Sequence, residues 1–350
     1  MTDHQRPLVS IVIPTYNQRP EFLRACIESA LAQTYVDIEI VVSDNHSTNE
    51  APEILRQYAV QDTRVHVVKP PEHLKLTSHF DFAVKQCRGE IFGILSSDDL
   101  LKTNAVEVMV QSLMDYPEAV FAYGEIEAID AGSCEHLFFF REMTQPSGPI
   151  LQEALYQRSA DWSFKSSWMV GGLIHKAEFW AAGGMDQGCN YASDMCLTIK
   201  LIEMGGCAYV NTVVGQHRVW RAELEFQKVE PNSGRVVGLL NDYVVANQWR
   251  MAYLSKHNLA LHQRVLSRAL ATLEHRALRT ALVVLDQPAL VKSVAAPEQI
   301  LALINRIPST NYRLQISRLL LQSWFRPIGR IAYRLFKSAR TLKDAVSTNA

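Results

Sequence analysis

Four short runs rich in β-branched residues alternate with helical patterns over the first hundred residues of the chain. These runs are typical of strands and cover residues 8–14, 38–43, 65–68 and 91–95. Between them, apolar residues recur at helical spacing, as in the segment PEFLRACIESALAQ. Strands that alternate with helices predict a parallel sheet covered by helices on both faces. The expected fold class is therefore α/β, with a mostly parallel twisted sheet.

Beyond residue 99, predicted helices and strands continue to about residue 225, and after that only helical patterns remain. The remaining predicted elements are a helix after Asn104, a strand at 119–130, an irregular loop or lid at 131–163, a helix at 193–204 and a strand at 207–220. Strand signals disappear beyond about residue 225. We therefore expect one domain over residues 1–225 and an all-helical C-terminal extension over residues 226–350.

Composition excludes several classes of protein. A formal net charge of −1 argues against a general nucleic-acid binder. No uninterrupted apolar run approaches the roughly 20 residues that a membrane-spanning helix needs. The six cysteines are scattered without a CxxC pair, which predicts reduced thiols and a cytoplasmic protein.

Two adjacent carboxylates, Asp98 and Asp99, directly follow the fourth predicted strand. Ligands bind at the carboxyl ends of the strands in open parallel sheets, so Tyr16 and Asp44 are expected near the same crevice. An ordinary polar turn is one explanation of the acid pair, and a site for a hard cation is the other. The residues alone leave both explanations open.

Asp44 also has two explanations. Ser47 and Glu50 have the spacing of a capping box at the start of the second helix, so Asp44 is not needed as a cap. Asn104 and Glu107 have the same spacing at a later helix. The carboxylate of Asp44 would therefore either bind the N–H groups of a base or ribose, or close an Asx-turn within its own loop.

Five strings in order resemble the inverting family 2 glycosyltransferases with the A-type glycosyltransferase (GT-A) fold. They are VSIVIPTYN, EIVVSDNHST, GEIFGILSSDD, GGMD and SDMCLTIKLIEMG. The ordered set is specific, although each string alone is not. The resemblance implies a donor half of about residues 1–125 and an acceptor half of about residues 126–225.

The resemblance also implies a reaction and its partners. A sugar would pass with inversion from a nucleotide-diphosphate sugar, with a UDP-sugar favoured, to a hydroxyl of a glycan or lipid-linked glycan. Mn²⁺ or Mg²⁺ would be the cofactor. The setting implied is the assembly of bacterial surface polysaccharide, such as lipopolysaccharide O-antigen or capsule.

Residue roles follow from matching positions. Asp194 corresponds to the general base, and Asp98 and Asp99 correspond to the metal motif. The implied nucleotide-binding residues are Pro14, Thr15, Tyr16, Asn17, Asp44, Asn45, Ser97 and Asp98. The implied acceptor or diphosphate contacts are Trp168, Gly184, Asp186, His217 and Arg218. Simpler explanations stay open, because the helix dipole favours an acid such as Asp194 in a first turn and a lone histidine is commonly structural.

Departures from the family pattern keep other functions open. Ser96 and Ser193 stand where relatives carry an acid, and Lys75 replaces a glycine. A non-catalytic sugar- or membrane-binding relative is one alternative. A nucleotidyltransferase is another, but it would need a glycine-rich basic loop where PTYNQRPE stands.

The last residues are basic. From Tyr312 onward the chain has eight Arg and Lys residues against one acid, and the segment after Pro327 has an amphipathic helical pattern. Such a helix would bind an anionic membrane surface from the cytoplasmic side, or pack against the protein or a second subunit. The sequence leaves the oligomeric state open.

Overall fold

The computed structural model describes residues 6–140, 146–152, 154–155, 170, 172–189 and 193–219, and parts of the C-terminal region. Those parts are 241–242, 244–246, 248, 270–271, 274, 277–278, 281, 301–302, 304–307 and 312–321. The predicted acceptor residue Trp168 and the predicted basic helix after Pro327 lie outside the described residues. The chain divides into one compact unit of residues 1–188 and 193–224 and a second of 189–192 and 225–350.

A ten-stranded sheet forms the centre of the first unit. Its strands are β1 (Val9–Thr15), β2 (Ile38–Asp44), β3 (Val65–Val68), β4 (Ile91–Ile94), β5 (Leu100–Leu101), β6 (Ala119–Asp130), β7 (His136–Phe140), β8 (Gly148–Ile150), β9 (Leu173–His175) and β10 (Gly206–Val219). The strand order is β3-β2-β1-β4-β9-β6-β10-β5, with β7 paired to β6 and β8 paired to β10.

The sheet is mixed. Strands β1 to β4 are parallel, as predicted, and β6 is parallel to β10. The short strand β9 lies between β4 and β6 and pairs antiparallel with both, while β5, β7 and β8 are also antiparallel to their neighbours. These four short strands carry too little periodicity to be recognised from the sequence. Two of them, β7 and β8, lie in the segment predicted as an irregular loop or lid, and that prediction was wrong there.

Helices cover both faces of the sheet, which confirms the predicted class. They are α1 (Pro20–Leu31), α2 (Ala51–Gln61), α3 (Leu76–Lys85), α4 (Ala105–Asp115), α5 (Lys176–Ala181) and α6 (Ser193–Met204). Apolar residues of α1, α2 and α4 form one core cluster with alternate residues of β1 and β2, such as Ile11 and Ile40. On the opposite face, Phe92 packs edge-on against Phe179 of α5 with ring centroids 5.1 Å apart. Because both faces are covered, every residue of β1, β2 and β4 is buried.

Neither predicted capping box forms. Glu50 precedes α2 without a side-chain capping hydrogen bond, and Ser47 lies in the loop before it. Asn104 precedes α4 without one as well. Glu107 instead accepts a hydrogen bond from Thr34 Oγ1 at 2.6 Å. The prediction was wrong because side chains with the right local spacing have partners that are distant in sequence.

The prediction of six reduced thiols was also wrong. Cys189 and Cys196 are disulfide-bonded. The free cysteines are Cys26, Cys87, Cys134 and Cys207. The disulfide-bonded residues flank the start of α6, at a spacing that matches no motif that sequence reasoning uses.

In the second unit, one regular helix is described over its whole length, α7 (Tyr312–Leu321). Elsewhere in this unit Arg306 donates a hydrogen bond to the Gln248 side chain at 2.9 Å. Across the described parts of both units, no helix has the length and apolarity to cross a membrane. The all-helical character of the extension stays a prediction.

Candidate active site

A cavity of about 400 Å³ lies at the carboxyl ends of β1, β2 and β4. Its wall is formed by Pro14, Thr15, Tyr16, Asn45, His73, Leu74, Lys75, Leu76, His79, Phe80, Ser96, Ser97 and Asp98. Six of the residues predicted to bind a nucleotide are therefore brought together, namely Pro14, Thr15, Tyr16, Asn45, Ser97 and Asp98. The other two, Asn17 and Asp44, do not line the cavity.

One end of the cavity is aromatic. The rings of Tyr16 and His73 are tilted by 58° with centroids 4.7 Å apart, and Tyr16 is 52% exposed. His73 Nδ1 donates a hydrogen bond to the Asn45 carbonyl at 2.9 Å. The Asn45 side chain in turn binds the backbone N–H and C=O of Leu74 at 2.9 and 2.8 Å. The loop that carries His73 is thus fixed to the end of β2, and Tyr16 presents a ring on which a flat ligand can stack.

Asn17 and Asp44 join the loops that follow β1 and β2. Asn17 has a φ of 48°, and its side-chain oxygen accepts a hydrogen bond from the Thr48 amide at 2.8 Å. Asp44 is buried, and its Oδ1 accepts a hydrogen bond from the Ser47 amide at 3.0 Å. This contact closes a local turn that is one residue longer than the Asx-turn that the sequence left open. A contact between Asp44 and a base would have to use the other carboxylate oxygen.

Thr15 and His79 give the cavity a polar floor. Thr15 Oγ1 is buried, and none of the described residues forms a hydrogen bond with it. His79 Nε2 lies 2.9 Å from Ser43 Oγ, and both side chains are buried. Burial lowers the pKa of His79 to about 4, so its imidazole is neutral near pH 7. Neutral imidazole and hydroxyl groups both donate and accept hydrogen bonds, which suits the uncharged polar edge of a nucleobase.

The two adjacent acids have different environments. Asp98 lines the cavity, and burial together with the charge of Asp99 raises the pKa of Asp98 to about 6. Asp99 is fully buried, and its Oδ1 accepts a hydrogen bond from the Arg218 amide at 2.8 Å. His217 Nδ1 lies 3.1 Å from both carboxylate oxygens of Asp99. Asp98 therefore faces the cavity, while Asp99 is enclosed by donors from the end of β10.

His217 and Arg218 lie beside Asp99, whereas the resemblance implied contacts with an acceptor or a diphosphate. Burial opposes a positive charge on His217, but the hydrogen bond to Asp99 and the nearby acids outweigh it and raise its pKa. The Arg218 guanidinium lies over the Phe22 ring at 4.7 Å and donates a hydrogen bond to Cys134 Sγ at 3.1 Å. This position places cationic groups beside Asp99, next to the cavity wall.

A divalent cation fits Asp98 better than Asp99. Asp98 is half-buried on the cavity wall, and burial and the charge of Asp99 raise its pKa despite the nearby positive charges of His217 and Arg218. Both oxygens of Asp99 already have protein donors. Among the described residues, no group of three or more His, Cys, Asp or Glu side chains could hold a metal ion. The arrangement fits a cation of the Mg²⁺ type, which binds one or two carboxylates, water and the phosphates of a substrate.

The predicted base Asp194 and the predicted acceptor residues Gly184 and Asp186 do not line the cavity. Asp194 is in the first turn of α6, and its charge helps to raise the pKa of His217. It therefore shares one electrostatic environment with the acid pair. Gly184 and Asp186 lie in the turn of residues 183–187, between α5 and α6, where Gly184 has a φ of 65°.

Sequence reasoning left several cavity residues out of the predicted site. They are His73, Leu74, Lys75, Leu76, His79, Phe80 and Ser96. Most of them belong to α3 and the loop before it, which follow β3. Because β3 is parallel to β2, the rule that located the other strand-end loops could have located this loop too.

Comparison with known proteins agrees with this geometry. Residues 10–133, which run from β1 to just past β6 and include the acid pair, match the model of the family described as "Glycosyl transferase family 2". Residues 10–133 belong to glycosyl transferase family 2. Asp194, His217 and Arg218 lie beyond the family 2 match, so their roles rest on geometry and on the resemblance described above.

Two curated relatives, a glycosyltransferase and an O-antigen biosynthesis protein, are similar in sequence to this chain. The glycosyltransferase GlyG of Streptococcus pneumoniae is 29% identical over 161 residues, which cover 46% of this chain and 53% of GlyG. The O-antigen biosynthesis protein RfbC of Myxococcus xanthus is 29% identical over 203 residues, which cover 57% of this chain and 15% of RfbC. The chain thus spans about half the length of GlyG and a smaller part of RfbC.

The fold also has solved counterparts. S. aureus TarS 1–349 in complex with UDP matches 98% of this chain and 92% of its own, with a TM-score of 0.59 and 13% identity. The same protein in complex with UDP-GlcNAc matches 91% of this chain and 92% of its own, with a TM-score of 0.54 and 13% identity. At this identity the likeness shows the fold alone, and it confirms the predicted GT-A-like architecture.

Proposed function

We propose that the protein transfers a glycosyl group, with inversion, from a nucleotide-diphosphate sugar to a hydroxyl acceptor. One observation carries the proposal. A family 2 domain holds a single cavity wall with an exposed aromatic ring at Tyr16, a neutral polar floor at Thr15 and His79, and the carboxylate of Asp98. These groups suit the parts of a nucleotide-diphosphate sugar: the ring can stack on the base, the polar floor can form hydrogen bonds with the nucleoside, and the carboxylate can hold a cation that binds the diphosphate.

The donor is a UDP-sugar in this proposal. The base would stack on Tyr16 and form hydrogen bonds with uncharged groups of the floor, such as Thr15 Oγ1. Structures of TarS, which shares the fold, contain UDP and UDP-GlcNAc. That likeness supports the choice of uracil as the first base to test.

Asp98 would hold Mn²⁺ or Mg²⁺ together with the diphosphate of the donor. A bound divalent cation supplies charge neutralisation for the leaving diphosphate. Asp99 would fix His217, and the raised pKa of His217 would keep a positive charge next to the same diphosphate. Lys75 on the cavity wall would add a further cation for the phosphates.

Asp194 would be the general base. Inversion in one step is aided by a general base that removes the proton of the acceptor hydroxyl as it attacks the sugar. Such proton transfer typically contributes about 10²- to 10⁴-fold to the rate. Asp194 is half-buried in the first turn of α6.

Nucleotide binding followed by turnover tests the proposal. Calorimetry with UDP, GDP and CDP, each with and without Mn²⁺, reports the base and the metal dependence. Hydrolysis of UDP-glucose, UDP-galactose and UDP-GlcNAc then reports catalysis. We expect Mn²⁺-dependent binding of UDP and slow hydrolysis of one of these sugars. No nucleotide binding would reject the donor site, and binding without hydrolysis or transfer would favour the non-catalytic alternative.

The acceptor and the cellular setting extend the same proposal. A glycan or lipid-linked glycan acceptor would suit surface polysaccharide assembly, since RfbC is described as an O-antigen biosynthesis protein. Attachment through the basic residues 324–350 would bring the enzyme to a lipid-linked acceptor. Deleting these residues should abolish co-sedimentation with anionic vesicles, and unchanged co-sedimentation would contradict the attachment.

A further inference from the structure

The turn of residues 183–187 is bound tightly by α3. Asp81 on α3 accepts two hydrogen bonds from the turn, from the Met185 amide at 2.9 Å and from Gln187 Nε2 at 3.0 Å. Thr77 Oγ1 and Ser78 Oγ, one turn earlier on α3, donate to Gln187 Oε1 at 3.0 and 2.7 Å. Both functional atoms of the Gln187 amide are therefore used by α3.

The contact between α3 and the turn leaves no free space at Gly184. A Cβ atom on Gly184 would lie 2.8 Å from Asp81 Oδ1, and Gly184 has a φ of 65°. A larger residue would be strained and would push Asp81 away from the turn. The fit of the turn to α3 is thus set by direct contact.

The same turn is bound from the other side by α6. Lys200 is 5% exposed, and its Nζ donates a hydrogen bond to the Gly184 carbonyl at 3.1 Å and lies 3.9 Å from Asp186 Oδ2. Burying an ammonium group is costly unless it is paired and hydrogen-bonded. Lys200 is on the helix that carries Asp194, so the turn joins α3 to the proposed base.

Two faces of α3 have separate contacts. Leu76, His79 and Phe80 line the nucleotide cavity. Thr77, Ser78 and Asp81, which bind the turn, lie on the opposite side of the helix because of the 3.6-residue period. One helix therefore contacts both the donor cavity and the turn.

We propose that Asp81, Gln187 and Lys200 are positioning residues that set the turn and the helix of Asp194 relative to the donor cavity. This inference rests on the proposed function, which makes Asp194 the general base, and on the resemblance, which implies acceptor contacts at Gly184 and Asp186 in the turn. None of the three lines the cavity, so they act on turnover and not on nucleotide binding.

Reversing the direction of one hydrogen bond tests the proposal. In Gln187→Glu, a carboxylate would face the Asp81 carboxylate in place of the amide donor. In the double variant Asp81→Asn with Gln187→Glu, the new side-chain amide at position 81 can donate to the new carboxylate at position 187. The amide oxygen at position 81 can still accept from the Met185 backbone N–H. Gln111→Glu, on the exposed side of α4, is the matched control.

Three measurements are made on each full-length protein. They are UDP affinity by calorimetry, kcat and KM for the UDP-sugar that the wild type hydrolyses fastest, and hydrogen exchange of the peptide that contains Met185. We expect Gln187→Glu to lower kcat by about tenfold or more, because small misplacements of reacting groups are costly. In the same variant, UDP affinity and KM should stay within about twofold of the wild-type values, and hydrogen exchange at Met185 should be faster. The double variant should return both kcat and the exchange rate towards the wild-type values.

Lys200→Met provides a second test that does not depend on Gln187. It should lower kcat without changing UDP affinity. A loss of thermal stability with unchanged kcat would make Lys200 purely structural and overturn its part of the proposal.

Three further outcomes would overturn the positioning role or the proposed function. An active wild type whose double variant does not recover kcat overturns the positioning role and leaves the proposed function intact. A parallel loss of UDP affinity in Gln187→Glu overturns it as well, since the residue would then act on the donor cavity. A wild type that neither binds UDP nor hydrolyses a UDP-sugar rejects the proposed function, and the catalytic role of these residues with it.

Discussion

His217 Nδ1 lies 3.1 Å from both carboxylate oxygens of Asp99, across 118 residues of sequence. The same carboxylate accepts the Arg218 amide, so one buried acid fixes the end of β10 against the loop after β4. The adjacent acids consequently have separate tasks. Asp98 is available to a ligand in the cavity, and Asp99 orients the cationic end of β10.

This division predicts different effects of neutralising each acid. Asp98→Asn should abolish the increase in UDP affinity that Mn²⁺ produces, because it removes the carboxylate that faces the cavity. Asp99→Asn should weaken Mn²⁺-dependent binding by about 10- to 100-fold, the usual effect of a group that orients a ligand indirectly. Calorimetry of UDP with and without Mn²⁺ measures both, with Asp115→Asn on α4 as the control. Equal and complete losses in both variants would place Asp99 in direct contact with the metal.

Removing the proposed base should separate binding from turnover. Asp194→Asn should lower the rate of UDP-sugar hydrolysis by about 10²- to 10⁴-fold, since the acceptor proton no longer has a base. UDP affinity should be unchanged, because Asp194 does not line the cavity. Single-turnover kinetics with UDP calorimetry on the same preparation measures the two effects. A wild-type rate in the variant would leave Asp194 with its simpler role in the helix dipole.

The exposed ring of Tyr16 should dominate the affinity for the base. Tyr16→Ala should weaken UDP binding by about 5- to 150-fold, the range expected for losing one aromatic stacking partner of a base. Tyr16→Phe keeps the ring and should bind within about twofold of the wild type. Calorimetry with UDP and with uridine distinguishes a base effect from a phosphate effect. If Tyr16→Phe binds as weakly as Tyr16→Ala, the hydroxyl and not the ring carries the interaction.

The parallel strands could be predicted because their signal is local. Each of β1, β2 and β4 is buried on both faces, so each is a mostly apolar run with a polar loop after it. The same rule brought Tyr16 and Asp98 to one cavity, whereas Asp44, which it also placed there, does not line the cavity. The strand β9 could not be predicted, since its three residues pair with β4 and β6 from far along the chain.

The partners of individual polar groups could not be predicted either. The resemblance implies ligand roles for Asp44 and Asp99, and in the structure Asp44 accepts the Ser47 amide while Asp99 binds His217 and Arg218. A carboxylate at a strand end satisfies a buried backbone donor as readily as it binds a ligand. Only the position of the donors, which depends on the tertiary fold, decides between the two.

Glu39 should be a main contributor to stability at the far end of the sheet. Its Oε1 accepts hydrogen bonds from Ser10 Oγ and the Arg88 amide, both at 2.6 Å, and its Oε2 accepts from Arg88 Nε at 2.6 Å. Burial alone would raise the pKa of Glu39, but these hydrogen bonds outweigh it and lower the pKa. Glu39→Gln should reduce the free energy of unfolding at pH 7 by about 1.5–3 kcal/mol, because charged hydrogen bonds in a buried site are lost. Urea denaturation measures the loss.

The matched control is Glu53→Gln on α2, where the carboxylate pairs with Arg56 at the surface. An exposed pair contributes little, so this change should alter the free energy of unfolding by no more than about 0.5 kcal/mol. Equal losses at Glu39 and Glu53 would contradict the role given to the buried network.

Protonation of His79 should make the stability of the protein depend on pH. Burial lowers the pKa of His79 to about 4 in the folded protein, against an ordinary value near 6.5 in the unfolded chain. Asp44 favours the charged form and His73 disfavours it, and neither reverses the effect of burial. Between about pH 6.5 and about pH 4, the unfolded chain binds a proton at this position that the folded protein does not. The contribution of His79 to stability is therefore complete above about pH 6.5 and is lost as the pH falls towards 4.

Urea denaturation at pH 7.5 and pH 5 measures this contribution. The titration of His79 should lower the free energy of unfolding of the wild type by about 2 kcal/mol between pH 7.5 and pH 5. This figure corresponds to about 1.4 kcal/mol for each pH unit below the ordinary pKa of about 6.5. His79→Gln removes the titrating group but keeps a polar side chain beside Ser43. The free energy of unfolding of this variant should therefore fall by about 2 kcal/mol less than that of the wild type between pH 7.5 and pH 5. An identical pH dependence in the wild type and His79→Gln would mean that His79 titrates normally, and that the floor of the cavity is open to water.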